Sequence, residues 1–216
     1  MDSSPAGCPC GCGAEFPGIV AERERGLRAE TLAAAPQQKL PAREHATAYL
    51  LTGVPGAGKS TVARLLALHF DRAAHIDIDL VFHHFTVSGL AEPSTSSAET
   101  AAQAELAAAN AGAMARNYLA AGYVCVLEGA LARRGEIRAC QHALAPYPLY
   151  LIVLAPPPEV SERRDAQRSG KHVAGYFRHL GPLLDSELAG TGLWLDTSQQ
   201  TLLDTVRMIL AHGAAG

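Results

Sequence analysis

The strongest constraint on the fold of this chain is the run from Ala48 to Leu68. It opens with Ala48-Tyr-Leu-Leu-Thr52, short and apolar in the manner of a buried strand. It passes through Gly53-Val54-Pro55-Gly56-Ala57-Gly58-Lys59-Ser60-Thr61 and continues as Val62-Ala-Arg-Leu-Leu-Ala-Leu68, with apolar residues at helical spacing. Strand, G-x-x-x-x-G-K-[ST] and helix form a phosphate-binding loop in its required context. The glycines let the backbone wrap around an anion and aim successive N–H groups inward. The helix N-terminus adds its positive end. Lys59 is suited to bridge the terminal phosphates of a nucleoside triphosphate, and the Ser60 hydroxyl to bind Mg2+. The expectation is an α/β chain whose residues 53–61 hold a nucleotide.

Acidic residues follow at the ends of further strand-like runs. His75-Ile-Asp77-Ile-Asp79 alternates as a strand does, which places Asp77 and Asp79 on one side of it. In an open parallel sheet, ligands bind beyond the carboxyl ends of the strands, so both acids are expected beside the loop. One carboxylate near Mg2+ and one facing an acceptor hydroxyl is what phosphoryl transfer to an alcohol requires. The competing expectation is that Asp79 caps a helix beginning at Leu80. A long Ala-rich helix is expected over 97–121, ended by Gly122. Tyr123-Val-Cys-Val-Leu127 then reads as a buried strand finishing in Glu128-Gly129. Glu128 is either an orienter of the metal's water shell or an ordinary strand-end residue.

Leu149-Tyr-Leu-Ile-Val-Leu154 is the next buried strand, and Pro156-Pro-Pro158 forces a turn after it. The helix expected over 159–172 carries Arg164 and Arg168 four apart, hence on one face, with Arg163 turned outward. Two guanidinium groups on a mobile segment can close over a transferring phosphate. Leu193-Trp-Leu-Asp196 is the last strand, with Trp194 as a core residue. Asp196-Thr197-Ser198 is expected to cap a final helix over 199–211.

Composition removes other functions. The 216 residues carry a net charge of −3, with 18 Lys and Arg against 21 Asp and Glu, so no basic field draws the chain to nucleic acid or an anionic membrane. No apolar run approaches the roughly 20 residues that span a bilayer. Residues 1–45 read as an extension: a Gly/Pro/Cys-rich tail over 1–18, then a charged, helix-compatible stretch over 21–35. The start lacks the features of an export signal, and the five cysteines are an odd count, so a cytoplasmic location is expected. Cys8, Cys10 and Cys12 have no second pair at zinc-site spacing, and Cys125 reads as core.

The order of these parts resembles the small P-loop kinases of the group that holds chloramphenicol phosphotransferase, gluconate kinase and shikimate kinase. The resemblance covers roughly 45–213. It is carried by GVPGAGKST at 53–61, HIDID at 75–79, AGYVCVLEG at 121–129, APPPEVSERRDAQRSGK at 155–171 and LWLDTS at 193–198. It implies a P-loop NTPase fold over 46–213: a five-stranded parallel sheet of order 2-3-1-4-5, helices on both faces and an arginine-bearing lid. It further implies ATP-dependent phosphorylation of a hydroxyl on a small molecule. In that pattern Asp79 is the acceptor-binding base and Asp77 the metal-side acid. Lys59, Arg164 and Arg168 clamp the phosphates, and Asp196 and Thr197 run along the adenine. Glu128-Gly129 stands where the antibiotic kinase has a pair of acids.

The acceptor classes open to such an enzyme are an antibiotic, a nucleoside or a sugar acid. Residues 80–95 are expected to line the acceptor site. Phe82, His83, His84 and Phe85 there suit an uncharged, partly apolar molecule, whereas Arg133, Arg134 and Arg138 suit an anion. The alternatives are a nucleotide-sugar or polynucleotide kinase, or a regulator that binds ATP without catalysis.

Overall fold

The computed structural model of the chain describes residues 36–42, 46–92, 97–167 and 177–214. The expected tail over 1–18 and charged helix over 21–35 lie outside the described residues, as do Arg168 and Lys171.

The chain runs β1 (Ala48–Thr52), α1 (Lys59–Leu68), β2 (Ala73–Asp77), α2 (Ile78–Phe85) and α3 (Ala98–Ala120). It continues as β3 (Val124–Glu128), α4 (Arg134–Leu144), β4 (Leu149–Leu154), α5 (Pro158–Ala166), α6 (Leu180–Leu188), β5 (Leu193–Leu195) and α7 (Leu202–Ala214). The strands form one parallel sheet in the order β2-β3-β1-β4-β5, the expected topology. β1 is central, with Leu50 in register with Leu127 of β3 and Leu151 of β4.

Every residue of β1 and β3 is buried, which explains why both read as unbroken apolar runs. Successive side chains serve opposite faces. Ala48, Leu50, Cys125 and Leu127 join the cluster built from Ala108, Ala111 and Ala115 of α3, Ile137 and Cys140 of α4, and Leu184 of α6. Tyr49 points the other way, stacking on Tyr150 at 5.7 Å beneath α7, where Val206 and Ile209 are buried. Burial pushes the thiols of Cys125 and Cys140 up to about 12, so both act as small apolar groups. Trp194 packs partly buried against the core, its ring N–H donating to Thr191 O at 3.0 Å.

Several local expectations are corrected. The last helix begins at Leu202, and the Thr201 hydroxyl, accepting from Asp204 N at 3.2 Å, does the work assigned to residues 196–198. Asp196 instead accepts from Ser198 N at 2.8 Å, the side chain closing a turn two residues on. α4 and α6 were not anticipated as helices, although Leu180, Leu184 and Leu188 recur at a helical interval. Residues 36–42 dock on the sheet's edge region: Leu40 bridges to Phe70, and Ala42 N donates to Asp71 at 2.8 Å.

The alanines of α3 set its close approach to the sheet and α4. Ala111→Leu forces a branched side chain into a position with no exposed surface, and is expected to lower stability by about 1–3 kcal/mol. Ala102→Leu, at an exposed position of the same helix, is expected to be neutral. Urea unfolding midpoints of the two variants check both.

Candidate active site

The loop from Gly53 to Gly58 leaves the central strand and turns directly into α1, whose first residues are Lys59, Ser60 and Thr61. Its floor is set by backbone contacts. Gly53 and Gly56 have φ of +144° and +86°, and a Cβ at either would run into a carbonyl, of Leu154 and Ser161 respectively. Only glycine allows the chain to turn left-handed while pressed against β4 and α5. Between them Ala57 N closes a turn onto Val54 O at 3.1 Å across Pro55, and Gly58 O accepts from Val62 N at 3.0 Å. The Lys59 ammonium is buried and lies across the loop, donating to Gly53 O at 2.9 Å and Val54 O at 3.3 Å.

The two aspartates do not share a strand face. β2 ends at Asp77, and the chain enters α2 at once. Asp77 is the helix cap, accepting from Leu80 N at 3.1 Å, so the capping role expected of Asp79 belongs to its neighbour. Asp79 sits in the first turn of α2, where its Oδ1 accepts from Ala130 N at 3.0 Å. That contact lies beside Gly129, where a Cβ would meet the end of the Leu131 side chain at 2.7 Å and the Ile78 Cβ at 3.0 Å. Thr52, at the end of β1, fixes the same turn by donating to Leu131 O at 2.5 Å. Glycine after Glu128, a departure from the antibiotic kinase pattern, thus stands next to the turn that reaches Asp79.

The electrostatics follow from this packing. Burial raises the carboxyl of Asp77 to about 6, helped by Glu128 and Asp79. Burial likewise raises Asp79, and Lys59 pulls it back down. Glu128, only 2% exposed, goes the other way. Burial alone pushes it up, but His75, Lys59 and Ser60 outweigh that and leave it below the usual range. His75 is a site neighbour that sequence reasoning missed. Its Nε2 stands 3.6 Å from Glu128 Oε1, too long for a hydrogen bond, and neither atom has another partner. Its nearness to Glu128 follows from the pairing of β2 with β3, in which His75 lies opposite Val126 and Asp77 opposite Glu128.

Arg164 closes the other end of the loop. From the last turn of α5 its guanidinium donates to Thr197 Oγ1 at 3.1 Å and Thr197 O at 2.7 Å. The Thr197 hydroxyl in turn donates to Ala57 O at 3.3 Å. One threonine thus joins α5, the segment after β5 and the phosphate loop. Arg163 is exposed, and Asp196 is exposed beside Thr197.

The donor set fits a hydrated Mg2+ better than a metal held by protein alone. Among the described residues no three His, Cys, Asp or Glu side chains converge as a metal site. What exists is the Ser60 hydroxyl at the mouth of the loop, and behind it Asp77 and a buried Glu128 oxygen lacking a donor. Mg2+ keeps several waters and leans on phosphate oxygens, and those waters would supply the missing donor.

Asp77 supplies a pH test. Its carboxyl is raised from 3.8 to about 6, so folding with it ionised carries a penalty that is absent at low pH. Asp77→Asn keeps a capping side chain and removes the charge. Without nucleotide or metal, it is expected to match the wild-type melting temperature below pH 4. It should exceed it by a growing margin, a few degrees in all, as pH rises through about 6. Thermal melts across that range check the sign.

Comparisons with known proteins place this geometry. A family model described as an AAA domain matches residues 49–176. No curated protein matches the chain in sequence. Solved structures do match. One is a sugar kinase from a Janibacter species, 17% identical over 76% of this chain and 92% of that one, with a TM-score of 0.60. Another is a gluconokinase from Sinorhizobium meliloti, 20% identical over 78% and 92%, with a TM-score of 0.58. A third is a shikimate kinase from Acinetobacter baumannii, 19% identical over 81% and 98%, with a TM-score of 0.51. At such identities the likeness is one of fold. The family match spans more than half of the sequence and contains the phosphate loop with Asp77, Asp79 and Glu128, so the chain belongs to the AAA domain family of P-loop proteins.

Proposed function

We propose that this protein is an ATP-dependent kinase that phosphorylates a hydroxyl group of a small molecule. The observation that carries the reading is Asp79: a carboxylate drawn out of bulk water, held by Ala130 N–H at 3.0 Å, on the Lys59 side of the loop. Burial raises its proton affinity, as a base acting on an alcohol requires. A regulator that only binds nucleotide has no use for such a group. The names of the similar structures, a sugar kinase, a gluconokinase and a shikimate kinase bound to shikimate, agree with a small-molecule acceptor.

In this reading the loop N–H groups and the α1 N-terminus hold the triphosphate, and Lys59 moves from the loop carbonyls to its terminal oxygens. Asp79 accepts the hydroxyl proton as the acceptor oxygen bonds to the γ-phosphorus and the bond to the ADP oxygen breaks. Ser60, Asp77 and Glu128 would hold Mg2+ and its waters, which supply charge neutralisation when bound. Arg164 keeps donors of its five-donor fork beyond the two that Thr197 uses, and with Arg168 is assigned to the charge growing on the phosphoryl group. Asp196 and Thr197 are assigned to the adenine side. Little covalent work is left to the protein, since positioning and electrostatics carry this reaction.

Asp79→Asn keeps an oxygen for Ala130 N–H and loses the base. It is expected to lower kcat by about 10²- to 10⁴-fold while leaving ATP affinity within about twofold. Acceptor-stimulated ADP release and titration with a fluorescent ATP analogue separate the two. In the wild type kcat/KM should fall on the acid side, as Asp79 takes up its proton. Full turnover by Asp79→Asn removes the base assignment.

A further inference from the structure

The phosphate loop is braced by packing at two of its glycines and by a hydrogen bond at the third. A Cβ at Gly53 or Gly56 would strike the backbone of β4 or α5, whereas nothing stands within 4 Å of one built at Gly58. Gly58 has φ of +100° and is the cap residue of α1, where no side chain bonds the first N–H groups of the helix. Those groups are left for an anion. No steric wall at Gly58 decides how the peptide between Ala57 and Gly58 is turned, and that peptide carries the N–H just ahead of the helix end.

The hydroxyl of Thr197 decides it. The Ala57 carbonyl accepts from Thr197 Oγ1 at 3.3 Å. The peptide is trans, so its carbonyl and its N–H point in opposite directions. Holding the carbonyl towards the segment after β5 sends the Gly58 N–H away from that segment.

The direction of this hydroxyl is itself fixed. Arg164 donates to Thr197 Oγ1 at 3.1 Å and to Thr197 O at 2.7 Å. A guanidinium has no acceptor, so Oγ1 accepts in that bond and its one hydrogen is left for Ala57. Thr197 is 5% exposed and Ala57 1%, which leaves little access for water to take the place of the bond. A buried carbonyl robbed of this donor is unfavourable enough to turn a peptide that ends in glycine, since no Cβ resists the turn.

We infer that Thr197 is a positioning residue for the phosphate loop: its hydroxyl, oriented by Arg164, holds the Ala57–Gly58 peptide with the Gly58 N–H aimed at the phosphates. This goes beyond the place of Thr197 on the adenine side. It rests on the reading above only in taking the loop as the seat of the triphosphate, and it is independent of the acceptor. Arg164 then acts on the nucleotide through the loop as well as directly.

The test uses the full chain and inorganic tripolyphosphate with Mg2+, a probe that has no base and so cannot report a contact on the adenine side. By calorimetry, Thr197→Val, which keeps the branched shape and loses the hydroxyl, is expected to bind it about tenfold more weakly than the wild type. Thr197→Ser restores the hydroxyl and should recover most of that affinity. In wild-type protein carrying isotope-labelled glycine, the Gly58 amide proton should move downfield as tripolyphosphate is added, and this measurement needs no variant to fold. Tripolyphosphate binding by Thr197→Val at wild-type strength overturns the inference and leaves the kinase reading standing. So does a Thr197→Ser protein as weak as Thr197→Val, or a Gly58 amide that tripolyphosphate does not move. Wild-type protein that binds neither tripolyphosphate nor MgATP overturns the inference and the kinase reading together.

Discussion

The site depends on close main-chain packing of the phosphate loop against the end of β4 and against α5. Gly53 lies against the last carbonyl of β4 and Gly56 against Ser161 of α5, with no room for a Cβ at either place. Thr197, just beyond β5, then bonds to Ala57 at the crest of the loop. The loop is therefore clamped by elements far from it in sequence, mostly through main chain and with one threonine hydroxyl. An anion cradle made of N–H groups works only if those groups are aimed before the anion arrives. Steric contact with β4 and α5 supplies that aim.

On the other side of β1 the logic changes from contact to charge. β2 and β3 end in register at Asp77 and Glu128, which brings acids together near Lys59, among the described residues the one buried Lys or Arg. Burial raises two of the three carboxyls, while His75, Lys59 and Ser60 lower the third. Neighbouring carboxyls are thus pushed apart in proton affinity by their surroundings. The Glu128-Gly129 pair serves this arrangement twice. The glutamate is the acid held below the usual range, and the glycine stands beside the turn whose Ala130 N–H reaches Asp79.

The sequence made the nucleotide side of this site legible, and the reason is physical. A loop built from glycine, lysine and serine has few structural alternatives, and the strand before it and helix after it could be read from apolar spacing. Sheet order followed once the resemblance was in view. The acidic side was legible only in part. Period-two spacing placed Asp77 and Asp79 on one strand, but Asp77 ends β2 by capping α2, and that switch from strand to helix leaves the alternation of His75-Ile-Asp-Ile-Asp79 unchanged. His75 was missed because its role appears only when β2 pairs with β3. α6 carried a plain leucine pattern and was passed over among the turns around it.

These two kinds of legibility reflect two kinds of constraint within one fold. Binding a triphosphate asks the same thing of any chain with this loop: aimed N–H groups, one ammonium and one hydroxyl. Recognising an acceptor asks for a surface, and a surface is written in side chains whose identity matters less than their joint exposure. Residues 80–91 look unremarkable as a string, a short helix with histidines and phenylalanines. What places them appears only in the fold: Gln103, twelve residues beyond Ala91, accepts from Ala91 N and donates to Gly89 O, tying the end of the segment to α3. A bond of that kind leaves no trace in the spacing of residues 80–91, so a string can show the loop that holds phosphates and stay silent on the chain beside it.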